Sequence, residues 1–195
     1  KDTLTGLFPV DTLPFTLGPG EIIVDNEDAG FRILEANTRH KLKDWFKREE
    51  EDKYKNFFPW RPPTKWTAVI GSNCYGEPVH SAVYKIKGSG ANKVQWVTDI
   101  PKDNYYEVFI WNPKFETWNW RRRNRGHEGH TQTYVVRYEE EEEEISVDLG
   151  QEEKGWVSLG SFYFPAGEVS VTLSDNVSAL FVMADALKFT LIKKE

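Results

Sequence analysis

Apolar and polar positions alternate with a period of two along most of the chain. TQTYVVRY (131–138) places Tyr134, Val136 and Tyr138 on one face. EISVDL (144–149) does the same with Ile145, Val147 and Leu149, and EVSVTLS (168–174) with Val169, Val171 and Leu173. EIIVDN (21–26) and FRIL (31–34) are two short strands split by the polar cluster NEDAG. SAVYKI (81–86) and KVQWVTDI (93–100) flank the turn KGSGAN, and YYEVFIW (105–111) follows PKDN. GWVSLGSFYF (155–164) is apolar on both faces, which predicts a central strand. ALFVMADALKF (179–189) is almost continuously apolar and predicts an inner strand. Such patterning, with turns at short intervals, predicts an all-β sandwich or barrel. Strand–helix alternation is missing, so a doubly wound sheet is not expected.

One block breaks the alternation. Between residues 37 and 64 the chain is densely charged, with Leu42, Trp45 and Phe46 at helical spacing. A helix is expected near 38–58, capped by Thr38 and ended by PWRPP (59–63), because proline cannot donate to the helical ladder. The block reads as a surface insertion in one β-sandwich domain over 21–195. Residues 1–20, with three prolines and three glycines, read as a linker or docked arm. The acidic run at 139–144 reads as a solvated hairpin, since consecutive glutamates in a strand point to alternate faces and chelate poorly.

Composition narrows the function. The 195 residues carry a formal net charge of -6, which opposes binding to nucleic acid. No apolar run reaches membrane-spanning length, so membrane insertion is not expected. The single cysteine, Cys74, permits no intrachain disulfide and no cysteine-based zinc site, and reads as a buried apolar residue. Aromatic residues are abundant, with 8 Trp, 8 Tyr and 12 Phe. They suit strands, and they also supply flat faces on which sugars stack.

Several segments taken together resemble a known family. These are IIVDNEDAGF (22–31), WTAVIGSNCYG (66–76), KVQWVTDIPKDNYYEVFIWNP (93–113), HTQTYVVRY (130–138), GWVSLGSFYFPAGEVSVTLSDN (155–176) and VMADALKF (182–189). In order and spacing they resemble the golvesin C-terminal-like domain, also called the carbohydrate-binding-like domain of xanthan lyase. The 37–64 block and the acidic hairpin depart from that pattern. The resemblance implies a jelly-roll β-sandwich similar to galactose-binding-like domains. It also implies a module placed beside a catalytic domain in secreted bacterial proteins, hence an extracytoplasmic location, and a role in binding carbohydrate.

The most conspicuous candidate site is WNWRRRNRGHEGH (118–130). Trp118 and Trp120 offer stacking faces, while Arg121, Arg123, Asn124 and Arg125 offer donors to hydroxyls or uronate carboxylates. The alternative is a long rim loop whose tryptophans pack on the sandwich flank and whose arginines answer nearby acids. His127 and His130 suit a zinc ion poorly, because the stretch is glycine-rich and a third ligand is not evident. Tyr75, at an expected loop tip, and Trp60, in the PWRPP corner, are further contact candidates. Trp96, Trp156, Phe162 and Phe164 read as core. Asp185 lies within an apolar run and needs a partner if buried. It is expected to tie the last strand to backbone N–H groups or to the VDN segment at Asp25, as a structural residue; a structural calcium there is the weaker reading. No G-x-S-x-G elbow appears, and nothing calls for a metal or other cofactor. The sequence reading is therefore a non-catalytic accessory module that binds a polysaccharide. Its alternative is a structural module that docks on a neighbouring domain of the parent protein and binds no glycan.

Overall fold

The computed structural model describes residues 20–35, 53–114 and 130–193. Thirteen strands form there: β1 (Glu21–Val24), β2 (Phe31–Leu34), β3 (Tyr54–Lys55), β4 (Thr67–Ile70), β5 (Ser81–Ile86), β6 (Lys93–Ile100), β7 (Asn104–Asn112), β8 (Thr131–Tyr138), β9 (Glu141–Asp148), β10 (Gly155–Phe164), β11 (Gly167–Ser174), β12 (Phe181–Ala184) and β13 (Leu187–Leu191). No helix occurs among the described residues. The fold is all-β, as the alternation predicts.

The strands divide among three sheets. A front sheet runs β1-β13-β7-β10, a back sheet β2-β6-β11-β8-β9, and a third β12-β5-β4-β3. A plain jelly roll has eight strands in two sheets, so this division does not reproduce it. Inward residues of the front sheet (Tyr106, Val108, Ile110, Phe162, Phe164, Leu187, Phe189) meet those of the back sheet (Val94, Trp96, Tyr134, Val136, Val169, Val171, Leu173) in one continuous core. Phe164 on β10 contacts Tyr138 on β8 edge-on, with centroids 5.2 Å apart, and so bridges the layers. Trp96, Phe162 and Phe164 are buried as expected.

The third sheet explains why SAVYKI shows no alternation in burial. Val83, Val182 and Ala184 join the main core, while Ala82, Tyr84, Phe181 and Met183 form a second cluster with Val69 and Cys74. Phe57 covers that second cluster, edge-on to Tyr84 and Phe181. Lys85 on β5 is buried and bonds to the fully buried Asp175 at 2.5 Å. Asp175 also accepts from Gly90 N–H and Asn92 Nδ2, so the charge is compensated on three sides.

Three local readings are corrected. The described end of the helix expected over 38–58 is extended: Tyr54–Lys55 pairs in parallel with β4, and Phe57 is drawn onto the third sheet by its apolar contacts. Tertiary burial outweighs local propensity there; residues 36–52 lie outside the described residues. β10 is an edge strand, not a central one. A bulge separates Ser158 from Gly160, so the inward set changes from Val157 and Leu159 to Phe162 and Phe164. That change of parity makes both faces look apolar in the sequence. Finally, ALFVMADALKF is two strands. β12 lies at the edge of the third sheet and β13 inside the front sheet, with Asp185 and Ala186 at the crossing.

Candidate ligand face on the front sheet

The bulge in β10 determines what the front sheet presents outward. Trp156 and Tyr163 are seven residues apart, so a regular strand would point them to opposite faces. The extra residue brings both onto the outer face, where they pair across the ladder with Trp111 and Tyr105 of β7. Glu107 and Phe109 occupy the same face between them, and Lys188 of β13 stands opposite Phe109. The result is a band of aromatic side chains along the sheet. From Trp111 to Tyr105 it runs six residues, or about 20 Å.

At one end the rings are packed together. Tyr75, Trp111 and Trp156 contact one another with centroids 5.1–5.4 Å apart. Trp111 Nε1 donates to Asn73 O at 2.8 Å, which fixes the 71–76 loop to the sheet. Lys188 Nζ lies 4.8 Å from the Trp156 centroid and 5.0 Å from that of Phe109. Tyr75 is therefore a half-buried brace, and Trp156 is half-buried on the outer face, contrary to the expectation that it is core. Burial, together with Asp25 and other nearby acids, raises the Tyr75 hydroxyl above its ordinary range.

At the other end the rings are open. Tyr105 and Tyr163 are 46% and 48% exposed and contact each other edge-on at 5.3 Å. They line a cleft of about 570 Å³ together with Lys102, Asp103, Asn104, Leu191, Ile192 and Lys193. Its walls are fixed by hydrogen bonds. Asp103 Oδ1 accepts from Ala166 N–H, Asn104 Oδ1 from Tyr105 N–H, and Tyr105 O from Ile192 N–H, at 2.8–2.9 Å. Tyr106 Oη donates to Lys102 O at 3.2 Å. The volume falls within the usual range for small-ligand sites.

The residues singled out in the sequence are scattered. Trp118, Trp120, Arg121, Arg123, Asn124, Arg125 and His127 lie outside the described residues. Trp60 is 67% exposed and contacts Phe58, which is itself exposed. His130 is buried, with its Nε2 facing Gln132 Nε2 at 3.2 Å. The described residues contain no group of three or more His, Cys, Asp or Glu arranged for a metal ion. No described helix is long and apolar enough to cross a membrane.

Asp185 is 3% exposed, and its two carboxyl oxygens accept from Tyr75 N–H at 3.2 Å. Its backbone carbonyl accepts from Trp96 Nε1 at 2.9 Å. One residue thus joins the loop before β5, the β12–β13 crossing and the core. Burial first, then the Asp25 charge, holds the Asp185 carboxyl well above the usual range. Asp25 is buried too, and a Cβ at Gly76 would sit 3.0 Å from its Oδ2 and 2.4 Å from Val79 O. With φ at +109°, position 76 is suited to glycine for two reasons. Burial, and next the Asp185 charge, pushes the Cys74 thiol up, so it is not a poised nucleophile.

A family match and one structural superposition agree with this architecture. The golvesin C-terminal domain family matches residues 59–191, and the chain belongs to that family. A xanthan lyase from Paenibacillus superposes with a TM-score of 0.59 at 17% identity, over 89% of this chain and 13% of that one. A GH26-CBM35 β-(1,4)-mannanase from Podospora anserina gives 0.46 at 12% identity, over 90% and 28%. A family two carbohydrate esterase from Cellvibrio japonicus gives 0.40 at 8% identity, over 89% and 34%. The chain therefore spans about a third or less of each of these structures. No curated protein matches it by sequence.

Proposed function

We propose that this member of the golvesin C-terminal domain family is a non-catalytic accessory module that binds a polysaccharide on the outer face of its front sheet. The observation that carries the reading is the exposed Tyr105–Tyr163 pair, which lines a cleft whose walls are held by hydrogen bonds. The apolar face of a sugar ring stacks on a tyrosine, whose hydroxyl stays free for polar contact. Neither tyrosine hydroxyl makes a hydrogen bond to the described residues, so both are open to sugar hydroxyls. Walls held in place lower the ordering cost of binding. The parent is a larger, extracytoplasmic bacterial protein, and Trp118, Trp120 and the arginines after them are further candidates for sugar contact by their chemistry. Support for that parent comes from the family and from the xanthan lyase, of which a domain-sized part superposes on this chain.

The test is affinity electrophoresis through gels holding neutral and acidic polysaccharides. The native chain is expected to be retarded by at least one of them. The double variant Tyr105→Ala, Tyr163→Ala is expected to lose about tenfold or more in affinity. Unaltered retardation of the variant, or no retardation in a broad panel, would overturn the reading.

A second reading has its own observation. Trp60 and Phe58 form an exposed aromatic pair. Such a surface suits docking on a neighbouring domain. On that reading no polysaccharide retards the chain, and Trp60→Ala weakens assembly with the adjoining domain of the parent.

A further inference from the structure

We infer that the cleft between Tyr105 and Tyr163 selects a carboxylate-bearing sugar, through the ammonium groups of Lys102 and Lys193. This rests on the polysaccharide reading above and names the class of sugar. The charge balance of the lining carries it. Lys102 and Lys193 are both exposed, and neither pairs with a carboxylate among the described residues. The one acid in the lining, Asp103, has Oδ1 engaged by Ala166 N–H. Two lysines against one aspartate leave the cleft net positive on a chain whose overall charge is -6. That local excess of positive charge favours an anionic ligand in the cleft.

The polar groups that remain match an acidic pyranose. Asn104 Oδ1 is used by Tyr105 N–H, while its Nδ2 has no acceptor among the described residues and is free to donate to a ring hydroxyl. Lys102 comes from the segment before β7 and Lys193 from just beyond β13, so two separate segments each bring one lysine to the lining. A ring stacked on these tyrosines lies in a cleft that both lysines line. Ammonium groups on flexible stems suit carboxylates presented at varied angles, where a guanidinium would demand a bidentate geometry.

The test uses matched pairs of polysaccharides: polygalacturonate, alginate and xanthan, each with its carboxyl-reduced counterpart, titrated against the whole chain by calorimetry. The native chain is expected to prefer at least one acidic form over its reduced counterpart by about 3- to 10-fold, the size of two exposed ion pairs. That preference is expected to shrink as salt is raised. The variant Lys102→Gln, Lys193→Gln changes only exposed side chains. It is expected to bind both forms with the native affinity for the reduced one. A variant that keeps the preference would overturn the assignment to these lysines. A native chain that binds acidic and reduced forms equally would overturn the class of sugar and leave the polysaccharide reading standing. Absence of binding to every form would overturn both.

Discussion

Single buried side chains set the pH response of this protein. The Asp25 carboxyl is pushed up to about 6, chiefly by burial, with Asp28 and Glu27 adding repulsion and the Asn26 N–H opposing. A raised folded value means that its stabilising contribution is full below about pH 4 and is lost as pH rises through about 6. His130 acts in the opposite sense. Burial pushes it down to about 4 against the attraction of Asp148, so its contribution is full above about 6.5 and is lost as pH falls through about 4. The two offset each other between pH 4 and 6. Asp25→Asn removes one side of that balance, worth up to about 3 kcal/mol across the window. On acidification from pH 6.5 to 4.5, Tm of the variant is expected to fall about 5 °C further than that of the native chain. Parallel Tm profiles would show that Asp25 titrates as an exposed carboxylate. Asp185 was legible in the sequence as a carboxyl in need of a partner, and its N–H donor is Tyr75. The specific donor was not legible, because it lies 110 residues away in the chain.

At the scale of elements, the bulge in β10 decides the face on which the aromatic residues sit. Gly160 holds φ at +123°, a region where L side chains are strained, and its N–H bonds to Ser158 Oγ at 3.1 Å. Gly160→Ala is expected to cost about 1–3 kcal/mol, seen as a lower urea midpoint at constant slope. An unchanged midpoint would show that the bulge tolerates a side chain. The same feature marks a limit of pattern reading. Alternation within β8, β9 and β11 identifies their inward residues, because no extra residue interrupts their registers. In β10 the parity changes midway, and an edge strand reads as a central one. β12 and β13 read as one run for a different reason: the chain passes from one sheet to another at Asp185, where both flanking strands are buried. Hydrophobicity records burial and says nothing of which neighbour supplies it.

For the whole molecule, the class of fold was legible and the proposed binding face was not. Period-two patterning fixes the β class locally, whereas the assembly of three sheets depends on pairings such as β1 with β13, which join the two ends of the domain. Tyr105 and Tyr163 have the pattern of ordinary strand aromatics, and only the bulge in β10 puts them side by side on the outer face. A signal was present in YYEVFIW, where Tyr105, Phe109 and Trp111 share one parity and Val108 and Ile110 the other. Both parities are apolar, so sequence alone does not say which faces outward. The central claim is that ligand binds on the front sheet at the tyrosine cleft. Its most direct test is an amide chemical-shift titration of the ¹⁵N-labelled chain with short oligosaccharides from a polysaccharide that retards it. The account predicts shifts concentrated in residues 102–105, 161–164 and 191–193. Shifts confined to residues 118–130 or to the Trp60 corner, with the cleft silent, would contradict it.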